Sequence, residues 1–338
     1  MQVHENYSLK KYNTFGIDAM AKYFTTFSST DSLEELLDRH KNIFSKMILG
    51  GGSNVLFTKD YNGLVLKNEV SGIKIVSEDD EFVFVKAGAG EVWHSFVKYC
   101  ISNNFSGVEN LSLIPGSVGA SPMQNIGAYG VEIKDVFYEL EALHLEEKIV
   151  QKFSAKECEF GYRESVFKKK YRNQFAILTV TYRLKKNPEF NISYGAIEDE
   201  LKKAKIENLS VKDISDAVIR IRTSKLPDPK VIGNAGSFFK NPVIGSHELH
   251  ELFLITDGKV PSYKSDENHF KIPAGWLIEQ CGWKGFRKGD AGCYDKQALV
   301  LVNYGNATGK EIYSLSEEIK ISVKEKFDIE LEREVNIF

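Results

Sequence analysis

Apolar and polar positions alternate between Gly72 and Gly88, where Ile73 and Ile75 precede the acidic turn Glu78-Asp79-Asp80-Glu81 and Phe82 and Phe84 follow it. That period of two predicts a hairpin. The period then changes. Val92, Phe96, Tyr99 and Cys100 recur at spacings of four, three and one, which predicts a helix running from Glu91 to Asn103. Residues 135 to 153 read as a second hairpin, turning at Glu146-Glu147-Lys148, and 177 to 184 as a further strand. Near the C-terminus Ile312, Leu315, Ile319, Val323 and Phe327 fall on one face of a helix expected over 309 to 327, and 329 to 338 read as a terminal strand. These stripes are core. Antiparallel hairpins mixed with helices argue for an α+β fold rather than a doubly wound parallel sheet. The stretch from Ile219 to Pro229 ends a helical pattern at Pro227 and Pro229, and so reads as a junction between domains.

Composition narrows the class. A chain of 338 residues, 42% hydrophobic and 27% charged, has the material for a large core and two or three domains. A net charge of -3 gives no general pull toward nucleic acid, and Lys168-Lys169-Lys170 reads as a solvated loop. No nucleic-acid partner is expected. No apolar run is long enough to span a bilayer, and Met1-Gln2-Val3-His4-Glu5 lacks a basic region leading into an apolar one, so a cytoplasmic protein with no membrane partner is expected. Cys100, Cys158, Cys281 and Cys293 form neither a C-x-x-C nor a zinc pattern, so free thiols and no disulfides are expected. His247-Glu248-Leu249-His250 has no third ligand nearby and reads as an exposed helix face, so no metal is expected.

Candidate chemistry concentrates in three glycine-bearing segments. Gly50-Gly51-Gly52-Ser53-Asn54 follows the apolar run Met47-Ile48-Leu49 and can form an anion-holding nest of backbone N-H groups. It does not satisfy G-x-G-x-x-G, because position 55 is Val; Gly305 to Lys310 likewise lacks P-loop spacing, with Glu311 where Ser or Thr would hold magnesium. A Rossmann site and an NTPase are both set aside. The second segment runs from Leu113 to Gly130, is dominated by Gly, Ala and Ser with no acidic residue, and suits a diphosphate. Two such turns, neither a mononucleotide motif, favour one long cofactor across both. The third, Gly233-Asn234-Ala235-Gly236-Ser237-Phe238-Phe239-Lys240-Asn241-Pro242, sets one hydroxyl between glycines and aromatics that can wall off water. Ser237 is a candidate for proton transfer.

Together with Asn13-Thr14-Phe15-Gly16 and Phe160-Gly161-Tyr162-Arg163-Glu164-Ser165-Val166-Phe167, these segments resemble the UDP-N-acetylenolpyruvoylglucosamine reductase (MurB) family from about Asn13 onward, in consistent order. The resemblance implies a PCMH-type FAD-binding fold in two subdomains, 1–70 and 71–225, a separate α+β substrate-binding domain over 226–328, and a last strand, 329–338, returning to the flavin half. It implies noncovalent FAD, NADPH as reductant, UDP-N-acetylglucosamine enolpyruvate as substrate, UDP-N-acetylmuramate for peptidoglycan as product, and a cytoplasmic monomer. Flavin contacts implied are Gly50, Gly51, Gly52, Ser53, Asn54, Pro115, Gly116, Gly119, Ala120, Ser121, Gly127, Ile177 and Arg222. Tyr129, Tyr194, Lys225, Asn241 and Gln297 are implied as substrate contacts.

The family's chemistry needs a group for each charge that develops. Arg163 is suited to stabilise an enolate-like carboxylate, because its guanidinium stays protonated and offers paired donors. Glu334, in Leu331-Glu332-Arg333-Glu334-Val335, matches the family's C-terminal carboxylate, as an acid or an orienting group. Ser237 is the expected proton donor. The region around Tyr194 resembles the longer, type I branch, whose tyrosine closes over the UDP-sugar. One departure is that the chain ends at Phe338, where many relatives continue, so fraying could reach Glu334 unless strand pairing pins it. Other readings are a PCMH-fold oxidase acting on a sugar or alcohol, a silent UDP-sugar binder without flavin, and an RNA-binding module. An air-for-NADPH swap separates the first, and the colour of the protein the second.

Overall fold

The computed structural model describes residues 2–193, 195–206 and 208–338. The chain divides into two compact units, one of residues up to Tyr7, Ala21–Gly52 and Asn62–Ser224, the other of Ser8–Met20, Ser53–Tyr61 and Lys225–Phe338.

The first unit is built on a five-stranded antiparallel sheet, ordered Val150–Ser154, Phe137–His144, Phe175–Lys185, Phe82–Gly88 and Ile73–Glu78. Both expected hairpins form its edges, and the strand expected over 177 to 184 is its centre. Val83, Val85, Val180 and Tyr182 turn one face into a core that also takes Trp93, Phe96, Val97 and Cys100 from the helix Trp93–Ser102. That helix starts later than the sequence predicts. Glu91 belongs to the preceding turn, its Oε1 accepting from Gly72 N-H at 2.6 Å and its carbonyl from Val118 N-H at 2.8 Å, which leaves extended Val92 as the boundary. A second sheet is ordered His4–Ser8, Met20–Phe27, Tyr61–Asn68 and Lys46–Leu49, the last two strands parallel. Leu33, Leu36 and Leu37 of the helix Thr30–Arg39 share a core with Leu64 and Leu66 of that sheet. A third core joins Ile197 and Leu201 to Ile214, Val218 and Ile221 of the helix Val211–Lys225, which ends two residues before Pro227.

In the second unit an antiparallel sheet runs Gly233–Ser237, Val300–Asn303, Ala291–Cys293 and Arg287–Lys288. The helix Gly309–Phe327 forms over the predicted residues, with Ile312, Leu315, Ile319, Val323 and Phe327 all buried. His247 and His250 are exposed on the helix Ser246–Ile255. The terminal strand is much shorter than predicted, only Asn336–Ile337. The reason is a change of partner: Arg333 bridges Phe239 in antiparallel fashion, whereas Asn336 and Ile337 pair in parallel with Val55 and Leu56. Phe338 is held, its N-H donating to Leu56 O and its carbonyl accepting from Thr58 N-H at 2.7 Å. All four thiols are free; burial raises the pKa of Cys100, and pushes those of Cys158 and Cys293 to about 12, so these three stay protonated and inert at neutral pH.

Candidate active site

The two glycine turns of the first unit lie against each other. A Cβ on Gly50 would come within 2.5 Å of Ser117 Oγ, and one on Gly51 within 2.7 Å of Gly116 Cα. No side chain fits between these backbones, so the glycines are there for close approach. Gly52 (φ +63°) and Gly116 (φ +121°) also adopt conformations that L side chains rarely reach. Gly119 is similarly tight, because a Cβ there would meet Ala89 Cβ at 2.5 Å, and Ala120 lies at the edge of the Gly50 contact. Pro115 is exposed beside them. Ser117 itself is buried, and its Oγ has no hydrogen-bond partner among the described residues. A buried hydroxyl left unpaired is costly, so an acceptor brought by a ligand would complete it.

Ser121 behaves differently. It is fully buried, and its hydroxyl pairs with Tyr182 OH at 2.7 Å inside the core. Sequence composition offers no way to choose between Ser117 and Ser121; burial against Tyr182 does. Ser117, which stands between Gly116 and Gly119, is therefore a further candidate contact that the sequence reading did not name. Ile177 is buried in the central strand, where its carbonyl accepts from Asn68 Nδ2 at 2.8 Å.

Beyond the glycine turns, Asn125 (φ +44°), Tyr129 (φ +50°) and Arg163 (φ +57°) are all left-handed, a clustering of strain that is common where a site is preorganised. Buried Asn125 holds its loop by donating to Gly161 O and to Glu132 Oε2, both at 3.0 Å. Arg163 donates from Nη2 to Gly127 O at 2.7 Å, and its guanidinium lies 5.4 Å from the Tyr162 ring centroid. Gly127 is tightly surrounded, since a Cβ would approach Glu132 Cγ at 2.8 Å, Val131 O at 3.0 Å and Arg163 Nη1 at 3.1 Å. Tyr129 is fixed through its carbonyl, which accepts from Asn110 Nδ2 at 3.0 Å. Its hydroxyl interacts with Arg222, whose pKa is lowered by burial, an effect the tyrosine opposes. Arg222 Nε is buried with no partner among the described residues. Thus the first unit brings Gly50 and Gly51 to Gly116, Arg163 to Gly127, and Arg222 to Tyr129.

The second unit holds the remaining candidates. Ser237 is exposed at the end of its strand, while Phe238 and Phe239 are buried. Glu334 is brought beside it: the Glu334 N-H donates to Phe238 O at 2.9 Å, and Lys240 N-H donates to Glu332 O at 2.8 Å. Of the two acids, exposed Glu332 pairs with the buried Lys240 Nζ at 2.6 Å. Asn54 Nδ2 donates to Glu334 O at 3.3 Å, and Asn336 N-H to Asn54 O at 3.1 Å, so within this unit Asn54, with neighbouring Ser53, meets the segment carrying Glu334. Asn241 Oδ1 accepts from Ala274 N-H at 2.9 Å, and a Cβ on Gly275 would meet Gln297 Oε1 at 2.8 Å, so Asn241 and Gln297 converge on the start of the helix Ala274–Gln280. Lys225 is exposed. Tyr194 lies outside the described residues.

An FAD fits what the first unit offers, because the close-packed turns at Gly50, Gly51 and Gly116 exclude side chains and two buried polar atoms, Ser117 Oγ and Arg222 Nε, lack partners among the described residues. No helix among the described residues is long and apolar enough to cross a membrane. Residues 21–151 match the FAD binding domain profile, and 228–338 match the C-terminal domain of UDP-N-acetylenolpyruvoylglucosamine reductase. Among curated proteins, the UDP-N-acetylenolpyruvoylglucosamine reductase of Flavobacterium johnsoniae is 52% identical over 341 residues, covering all of both chains. That of Amoebophilus asiaticus is 48% identical over 338 residues, covering 100% of this chain and 99% of the relative. Among solved structures, the Thermus caldophilus reductase of that name superposes with a TM-score of 0.69 at 24% identity, covering 100% and 99% of the two chains. Substrate-bound p-cresol methylhydroxylase shares the fold at TM-score 0.50 and 11% identity, covering 94% of this chain and 82% of its own. The expected α+β flavin fold of the PCMH type is borne out.

Proposed function

The chain belongs to the UDP-N-acetylenolpyruvoylglucosamine reductase family, and on that premise we propose that it uses NADPH and noncovalent FAD to reduce the enolpyruvyl ether of UDP-N-acetyl-3-O-(1-carboxyvinyl)-glucosamine to UDP-N-acetylmuramate in peptidoglycan synthesis. The observation that carries the flavin part is the apposition of Gly50 and Gly51 with Gly116 and the unpaired Ser117 hydroxyl. A PCMH-fold oxidase is not favoured, since p-cresol methylhydroxylase is 11% identical and the reductase of Flavobacterium johnsoniae 52%.

In this reading residues 1–70 and 71–225 bind the cofactor through Gly50, Gly51, Gly52, Ser53, Asn54, Pro115, Gly116, Gly119, Ala120, Ser121, Gly127, Ile177 and Arg222, and 226–328 bind substrate. An FAD held by these residues would supply the hydride chemistry at the terminal carbon of the enolpyruvyl double bond, with electrons from NADPH. The chain's own residues handle the charge and the proton. Arg163 meets the negative charge that spreads from the adjacent carbon into the carboxylate, its guanidinium aimed beforehand by Gly127 O. Ser237 donates the proton to that carbon. A serine is a weak acid, so the donation depends on the strongly basic carbon it faces, and Glu334, tethered at Phe238, assists as an acid or orients the hydroxyl. Tyr129, Lys225, Asn241 and Gln297 hold the substrate, and Tyr194 closes over the UDP-sugar. The proposal extends to a cytoplasmic monomer, checked by sedimentation.

Separating the two half-reactions tests it. Ser237→Ala should leave bleaching of the flavin by NADPH nearly intact and slow reoxidation by the enolpyruvyl substrate roughly 10²- to 10⁴-fold, the range for a positioned acid. Ser237→Cys should recover part of the loss, because a thiol still donates. Reoxidation of the Ala variant at the wild-type rate would remove Ser237 as donor and put Glu334 next.

A further inference from the structure

Ser237 sits at a break in its strand, and one buried amide side chain controls that break. Asn234 pairs with Val302 and Ser237 with Val300, so Ala235 and Gly236 on one strand span the single residue Leu301 on the other. This is a β-bulge. Partners directly across a ladder share a face, so the extra residue places Ser237 on the face of Asn234 and Phe238 on the opposite one. Without it Ser237 and Phe238 would exchange faces, putting the hydroxyl where the fully buried ring now lies. The bulge thus decides whether Ser237 is available to a substrate.

Asn234 is itself buried, and all three of its side-chain bonds serve this turn. Its Oδ1 accepts from Gly236 N-H at 3.0 Å, while Nδ2 donates to Ile232 O at 2.9 Å and Pro227 O at 3.2 Å. Only one orientation of the amide satisfies two carbonyls and one N-H. Its backbone is clamped as well, the N-H donating to Thr14 O at 3.0 Å and the carbonyl accepting from Thr14 Oγ1 at 2.6 Å. Gly236 completes the device: its φ is +71° with open space where a Cβ would stand, so backbone conformation rather than crowding calls for glycine. We propose that Asn234 is a positioning residue for Ser237, its amide holding the bulge that presents the serine hydroxyl outward. The inference rests on the reading of Ser237 as proton donor.

The test uses the flavin-loaded full chain and three variants, Asn234→Ala, Gly236→Ala and the double variant Ser237→Ala with Asn234→Ala. Asn234→Ala should keep its FAD and its rate of reduction by NADPH, yet reoxidise with the UDP-sugar substrate roughly 10- to 100-fold more slowly, the loss expected from a small misplacement of a reacting group. Its solvent deuterium isotope effect on reoxidation should rise, a readout that mere loss of stability would not move. The double variant should be no slower than Ser237→Ala, because a positioning residue has nothing left to position. Should Asn234→Ala not fold, Gly236→Ala carries the test, since it leaves every clamping side chain in place and disturbs only the bulge. If Ser237→Ala alone reoxidises normally, the donor assignment falls and takes the positioning role with it. If Ser237→Ala is slow while Asn234→Ala and Gly236→Ala are not, or if the two losses multiply in the double variant, only the positioning role is overturned.

Discussion

Ser117 and Ser121 differ sharply in the pairing of their hydroxyls within a single turn. The Ser121 hydroxyl pairs with Tyr182 OH in the core, whereas Ser117 Oγ is buried with no partner among the described residues. Ser117→Ala therefore has two expected effects of opposite sign. In the flavin-free protein it removes an unsatisfied group, which should leave stability unchanged or raise it by up to about 1–3 kcal/mol. FAD binding should weaken by about 0.5–1.5 kcal/mol, more if the lost acceptor is a charged phosphate oxygen. Chemical denaturation without flavin and a flavin titration read the two separately. A destabilised apoprotein with unchanged FAD affinity would make Ser117 an ordinary core residue. The same reasoning limits what sequence reveals: Gly50, Gly51 and Gly116 were recognisable as glycines in anion-holding turns, but that each leaves room for the other's backbone became visible only with the contact itself.

Elements were readable where one stripe meets one core, and misread where the chain changes partners. The helix Gly309–Phe327 has both its length and its buried face written in period. The C-terminal residues are apolar enough for a strand, yet they pair first with Phe239 and then with Val55 and Leu56, which no local pattern encodes. The motif Asn13-Thr14-Phe15-Gly16 was similar: it carried a resemblance, but its work, bracing Asn234 through Thr14, lies in pairing distant in sequence. Gly309 gives a test at this scale. Helix propensity alone favours alanine over glycine by about 1 kcal/mol, and Thr308 and Glu311 form an intact capping box around it. A Cβ there would nevertheless overlap Phe57 O, at 1.7 Å, so the backbone would have to separate. Gly309→Ala should destabilise the second unit by a few kcal/mol, in the range of overpacked cores, and lower its unfolding midpoint in denaturant. An unchanged or raised midpoint would mean that the helix start can slide away from Phe57 freely.

At the scale of the molecule the question is which flavin the chain selects. A single glycine turn would suit FMN, whose one phosphate needs one nest. Here two turns, far apart in sequence, are pressed together in one unit, and in the proposed reading a dinucleotide lies across both. The protein should purify yellow and release FAD rather than FMN on denaturation. Ligand that binds only the folded state stabilises it by about 2.7 kcal/mol at a hundredfold excess over Kd, so adding FAD to the stripped protein should raise its melting temperature by several degrees, and FMN at the same concentration distinctly less. Gly51→Ala should abolish most of that shift, because its Cβ would come within 2.7 Å of Gly116 Cα and force the two turns apart. Equal stabilisation by FMN would show that only one turn holds phosphate, and a colourless protein that FAD cannot reconstitute would end the assignment of these turns to a flavin.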